Sequence, residues 1–149
     1  MYQADEGSAE VSDNTTKQSA AELRFMTALQ RFHELDADHL AAVGAARQLT
    51  EAENRARQAI QDVEERLAQH RRAPRPHRRS PADAAADERA EARLRRDLAE
   101  ARAWLTAIQA AAATNEAERN RRGQLRNACE PLVSRLRDEL ALEVDHAQA

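Results

Sequence analysis

The sequence predicts an all-α protein built around an antiparallel helical hairpin, and three observations carry that prediction. Alanine supplies 34 of the 149 residues, and it has the highest intrinsic helix propensity, with Glu and Arg close behind. There are only three Gly and four Pro, and no alternating β-branched runs of the kind strands require. Apolar residues recur at steps of three and four along two long stretches separated by a segment rich in Pro and Arg, which is the helical period with one interruption.

The same composition says what kind of core to expect. Fourteen Leu, five Val, two Ile and two Phe make 23 of 149 residues, too few large side chains for a globular interior. The formal charge is only −3, with both signs interspersed, so the chain lacks the high net charge of a disordered protein. Thin helices sharing a seam satisfy both facts.

Residues 1–18 read as a disordered acidic tail: four acids stand against Lys17, and no apolar period is present. Residues 19–149 read as a single helical domain. Ser19 and Glu22 form a capping-box pattern that opens a helix over 20–70. Its apolar positions run through Leu23, Phe25, Met26, Leu29, Phe32 and Leu35, and later through Leu49, Ala56, Ile60, Val63 and Leu67. The step of five from Leu35 to Leu40, over an acidic stretch, predicts a break near 36–39.

Residues 71–80 read as an Arg- and Pro-rich turn. Pro74 and Pro76 lack amide donors and push the residues before them out of the α region. Ser80-Pro81-Ala82-Asp83 restarts a helix, with a capping serine, a proline at the first helical position and an acid in the first turn. That helix, 81–113, carries the heptad-like series Leu94, Leu98, Ala101, Leu105, Ile108 and Ala112. Glu53–Arg57, Glu91–Arg95 and similar acid-first pairs at i,i+4 mark solvated faces.

Folding the chain about residue 75 sets residue i opposite roughly 150 − i, so Ile60, Val63 and Leu67 meet alanines and Trp104 meets the region of Gly44. Continuing the seam beyond Ala113 would place Asn115, Arg119, Arg122 and Arg126 inside it, and unpaired buried charge is costly. The expectation is therefore a separate C-terminal helix over 115–145 that folds back into an elongated bundle. Its Leu132, Leu136 and Leu140 would cover Phe25, Met26, Leu29 and Phe32. Pro131 should begin a turn or kink it.

Chemistry is sparse. No Walker loop, GxGxxG or HExxH occurs. Cys129 stands alone, which excludes an internal disulfide framework and fits a reducing, cytoplasmic compartment. Asp36–His39 and Glu143–His146 each mimic half of a di-iron carboxylate motif, but such a site needs both pairs in a buried core with two further inward carboxylates, and Asp36 sits at the expected break. The expectation is no enzyme, no cofactor and no metal. No apolar stretch reaches the ~20 residues that span a bilayer, so no membrane span is expected either.

Two surfaces stand out as candidates. Phe25, Met26, Leu29, Phe32, Trp104, Leu132, Val133, Leu136 and Leu140 form apolar leftovers suited to a protein partner or a second copy. Arg71, Arg72, Arg75, Arg78, Arg79, Arg119, Arg122 and Arg126 form basic stretches that suit nucleic-acid phosphates, although the chain as a whole is slightly acidic and no aromatic residue is interleaved for stacking. The favoured reading is a helical adaptor or scaffold acting by coiled-coil contact, as a homodimer or within a bacterial or phage assembly. The bacterial or phage setting rests on 22 Arg against one Lys and on the abundant Ala. A nucleic-acid-associated accessory protein is the alternative. In outline the chain also resembles the coiled-coil stalk proteins of flagellar and type III secretion export, which are likewise charged, Cys-poor hairpins of similar length. That resemblance implies a chaperone-like role and carries no residue assignments.

Overall fold

The computed structural model describes residues 19–148, and the tail expected over 1–18 lies outside the described residues. It contains two helices, α1 (Ala20–Arg72) and α2 (Pro81–Gln148), packed against each other. Both begin where the sequence placed their caps. The Ser19 hydroxyl accepts the Glu22 amide at 3.1 Å, and the Ser80 hydroxyl accepts the Asp83 amide at 3.1 Å. Each satisfies one of the four donors a helix start leaves open, worth about 1 kcal/mol apiece.

Two expected features are absent. α1 does not break near 36–39, and α2 does not end at 113, so the described residues hold no separate C-terminal helix. The reason is the same in both helices: polar side chains occupy the interface positions where apolar ones were sought. Along α1 the positions turned from solvent follow an unbroken three–four alternation that includes Leu35, His39 and Ala42. Along α2 the alternation continues through Ala112, Asn115, Arg119, Arg122, Arg126 and Cys129 to Val133, Leu136 and Leu140. A helix has no reason to stop where its interface continues and its polar members find partners. Pro131 is accommodated within α2 without ending it.

The chain divides into two compact units, Leu40–Arg121 and the pair of arms Met1–His39 with Arg122–Ala149. In the first, Val63, Leu67 and Ile108 are buried beside the covered small residues Ala42 and Ala56. Its cross-helix pairs correct the expected register. Asn115 bonds the Ala42 carbonyl, Arg102 bonds Glu64 and Arg71 bonds Glu91. Residue i therefore lies opposite about 160 − i. The Pro-containing segment runs past the end of α1 before Ser80 starts α2, so α2 begins roughly two turns further out than a tight turn would place it. Gly44 correspondingly faces open space, and Trp104 does not fill it.

In the second unit the arms run antiparallel with the same offset, shown by Arg126 on Asp36 and Cys129 on Ala28. Ala28, Leu35 and Leu136 are its buried members. Phe25, Leu29, Phe32, Val133 and Leu140 are half-buried beside them. Leu29 and Phe32 line one groove with Val133, so this stretch of α2 lies along the start of α1 because both helices are long. Each large aliphatic buried in this way contributes about 1.5–3 kcal/mol.

Pro131 removes one backbone donor and crowds the carbonyl four residues earlier, while its own ring lies exposed. Pro131→Ala should therefore raise the unfolding free energy, by up to about 3 kcal/mol. Urea denaturation of the two proteins measures it directly, and an unchanged midpoint would show that Pro131 is accommodated without cost.

Candidate functional site

The basic turn lies in the unit Leu40–Arg121, and the structure shows where its charge goes. Arg75 Nε donates to Asp87 Oδ2 at 2.5 Å and Arg79 Nη1 to the same oxygen at 2.6 Å. His70 Nε2 lies 3.3 Å from Asp87 Oδ1, though out of line for a hydrogen bond. Arg71 Nε donates to Glu91 at 3.0 Å, and Arg95 reaches the same carboxylate oxygen from within α2. The remaining donors close the end of α1: Arg72 bonds the Ala68 carbonyl, and Arg75 bonds those of His70 and Arg71. A helix C-terminus presents just such unpaired carbonyls and a partial negative charge. Arg78 and His77 alone in the segment make no hydrogen bond or ion pair among the described residues.

Electrostatics follows the geometry. The Arg75 guanidinium, with Arg79 and His70 beside it, holds the Asp87 carboxyl below the usual aspartate range. Arg71 and then Arg95 do the same for Glu91. In the middle of the unit Glu53 is lowered first by Arg57 on its own helix and also by Gln109 across the interface. The acid-first pairs Glu53–Arg57 and Glu91–Arg95 form as the sequence predicts, whereas Asp62, which the same spacing sets against Arg66, accepts from Gln58 instead. Arg119 is half-buried and is no part of an open basic face.

The polar layer of the other unit was missed in the sequence. Arg126 Nε sits 2.6 Å from Asp36 Oδ1, an ion pair whose N–H points off the acceptor line, and its guanidinium lies 5.8 Å from the Phe32 ring centroid. Arg122 donates to the Asp38 backbone carbonyl at 3.0 Å. His39 lies against Gly123: a Cβ added there would come 3.2 Å from His39 Cε1. The absence of a side chain at Gly123 is therefore what makes room for the imidazole, whose Nδ1 is buried without a partner. A search for apolar spacing passes over His39 and Gly123. The residual signal was that His39 falls on the three–four series of α1 and Gly123 lies next to Arg122 in that of α2.

The remaining candidates separate. Cys129 is a half-buried free thiol whose Sγ lies 3.9 Å from the Ala28 carbonyl, the geometry of a small interface residue. Asp36 and His39 face Arg126 and Gly123, while Glu143 lies beside Ser19 and Glu22, so the two di-iron half-motifs do not meet. Of the apolar candidates Phe25, Leu29, Phe32, Val133, Leu136 and Leu140 turn inward. Met26, Trp104 and Leu132 stay 40–50% exposed. Leu23, which the site reading left out, is more exposed still at 57%. In the arm unit Leu23, Met26, His33 and Ala37 line one shallow groove on α1.

These features define an all-α protein of two long helices, held by a seam with polar layers, and carrying exposed apolar side chains. No described helix is long and apolar enough to cross a membrane. No protein-family model matches the chain, and neither does any curated protein or solved structure.

Two predictions follow from these contacts. Asp87 and Glu91 have lowered folded-state values, so their contribution is complete above the unfolded carboxylate pKa of about 4 and is lost as the pH falls through the lowered values. The protection factor of the Ala84 amide, bonded to the Ser80 carbonyl, should fall below pH ~4, and Asp87→Asn should reproduce that loss of protection at neutral pH. Glycine offers the second test. Gly44→Ala should stabilise by about 0.5–1 kcal/mol, since its Cβ meets nothing. Gly123→Ala should instead destabilise by about 1 kcal/mol through crowding of His39. Adding His39→Ala to Gly123→Ala should recover part of that loss in the same urea titration, and additivity of the two changes would refute the contact.

Proposed function

We propose that the protein is a non-enzymatic helical adaptor or scaffold of the cytoplasm that works by coiled-coil-like helix–helix contact, first of all with a second copy of itself, in a bacterial or phage assembly. One observation carries the reading. In a fold whose two helices have only each other to pack on, Leu23 and Met26 in one unit and Trp104 in the other remain 48–57% exposed. Large apolar side chains grouped on a helix face are the usual mark of an interface, and Trp is enriched at the centres of such interfaces. The groove lined by Leu23, Met26, His33 and Ala37 suits the apolar stripe of another helix.

The nucleic-acid reading draws less support. Arg71, Arg75 and Arg79 are engaged by Asp87 and Glu91, and Arg126 by Asp36. That leaves a smaller basic surface than the sequence alone implied. Strong weakening of an assembly by salt or by nuclease would nevertheless turn the conclusion toward that class.

Sedimentation analysis tests the adaptor reading. The wild-type chain should sediment above monomer mass, and Met26→Glu and Trp104→Glu should each weaken association while leaving the helical circular dichroism unchanged. A wild-type chain that stays monomeric over the accessible concentration range would remove the second copy as partner.

A further inference from the structure

The two units carry opposite charge. In the arm unit, residues 19–39 and 122–148 hold nine acids against six arginines, a net −3. In the unit Leu40–Arg121, which contains the turn, sixteen arginines stand against thirteen acids, a net +3. Internal pairing sharpens the contrast in the arms. Arg126 is taken by Asp36 and Arg122 by the Asp38 carbonyl, while Arg31, Arg135 and Arg137 lie beside acids of their own helices. Glu22, Asp38, Glu130, Glu143 and Asp145 are left without an ion pair among the described residues, and Arg24 is the single arginine left likewise. Two of those acids, Glu22 and Glu143, line one groove with Leu140 and Val144. Glu22 directly precedes the exposed Leu23, with Met26 one turn on.

The turn unit has the reverse character. From Arg89 to Trp104, α2 carries five arginines against three acids. Arg89, Arg93 and Arg96 follow one another there at steps of four and three, all exposed and none paired among the described residues. Trp104 itself is 48% exposed. A chain with units of opposite sign does not meet itself like to like. Arm against arm, or turn unit against turn unit, sets like charge on like, which opposes association. Arm against turn unit sets −3 against +3. The exposed apolar side chains are distributed to match, with Leu23 and Met26 on one unit and Trp104 on the other.

Resting on the association with a second copy put forward above, we propose that this association is between unlike surfaces. The Glu22, Leu23 and Met26 side of one copy's arm unit receives the Trp104 face of α2 in its neighbour, with the arm's unpaired carboxylates toward Arg89, Arg93 and Arg96. The apolar side chains supply the affinity, and the charges decide which unit meets which. Two copies can make this contact reciprocally, or a row of copies can repeat it. In either case the two participating surfaces are the same.

Mixing two variants of the full-length chain tests it. Met26→Arg spoils only the arm surface and Trp104→Glu only the opposing one, so each protein alone should associate several-fold more weakly than wild type. Mixed in equal amounts, they should form a two-chain species in sedimentation velocity. The first variant still supplies an intact Trp104 face, and the second an intact arm. A charge-reversed pair, Glu22→Arg/Glu143→Arg and Arg93→Glu/Arg96→Glu, repeats the test at exposed positions and serves if Trp104→Glu unfolds. Each should weaken association alone and recover it when mixed with the other. If the wild type associates while neither mixture exceeds its separate variants, like surfaces meet and the proposal is overturned. A monomeric wild type overturns it together with the reading it rests on, so the two failures are told apart.

Discussion

Everything in this protein depends on one constraint: each helix has a single neighbour, so only a narrow stripe of every turn can leave water. The three–four alternation is the arithmetic of that constraint, because 3.6 residues per turn brings one stripe back to the same side at those steps. The consequence is a thin interior. The described core consists of Ala28, Leu35, Ala42, Ala56, Val63, Leu67, Ile108 and Leu136, and three of these eight are alanines. Small residues allow the backbones to approach, and the abundant alanine supplies helical stability that a two-helix interface cannot provide on its own.

That constraint also explains why polar side chains are tolerated within the stripe. A position facing only one other helix is never far from water, so an arginine can place its stem across the interface and its head on a carboxylate or a carbonyl. Arg126 on Asp36 and Arg122 on the Asp38 carbonyl do this in the arm unit. Asn115 on the Ala42 carbonyl does it in the other. A mid-helix carbonyl keeps a second lone pair free for such a bond. The same geometry leaves large side chains such as Trp104 only half covered, and so connects the thin core to the proposed role in association.

Much of the fold was legible because its signals are local. The two serine caps, the prolines that end α1 and the leucine series of α2 each act within a turn or two of chain. The misreadings arose where the decisive partner was distant in sequence. His39 looked like a gap because only apolar residues were counted, whereas Gly123 gives it a place in the seam. Arg122 and Arg126 looked unburiable because their acceptors at Asp38 and Asp36 lie more than eighty residues away. The register was set about ten residues off because the prolines were taken as the centre of a tight turn, when they instead carry the chain beyond the end of α1. The exposed candidates fared similarly: periodicity identified Met26 and Leu132 as apolar but could not say which side of the stripe they occupy.

The polar layer has a further consequence for how such a hairpin finds its alignment. A purely aliphatic three–four stripe repeats every seven residues, so two helices bearing one can slide by a heptad and lose little contact. Moving α2 by that interval would carry Arg126 away from Asp36 and press a side chain against the imidazole that Gly123 admits. It would also take Asn115 from the Ala42 carbonyl. Each polar contact therefore behaves as a notch in a sliding scale. The leucines and alanines make the helices adhere, and these few residues determine at which setting they come to rest.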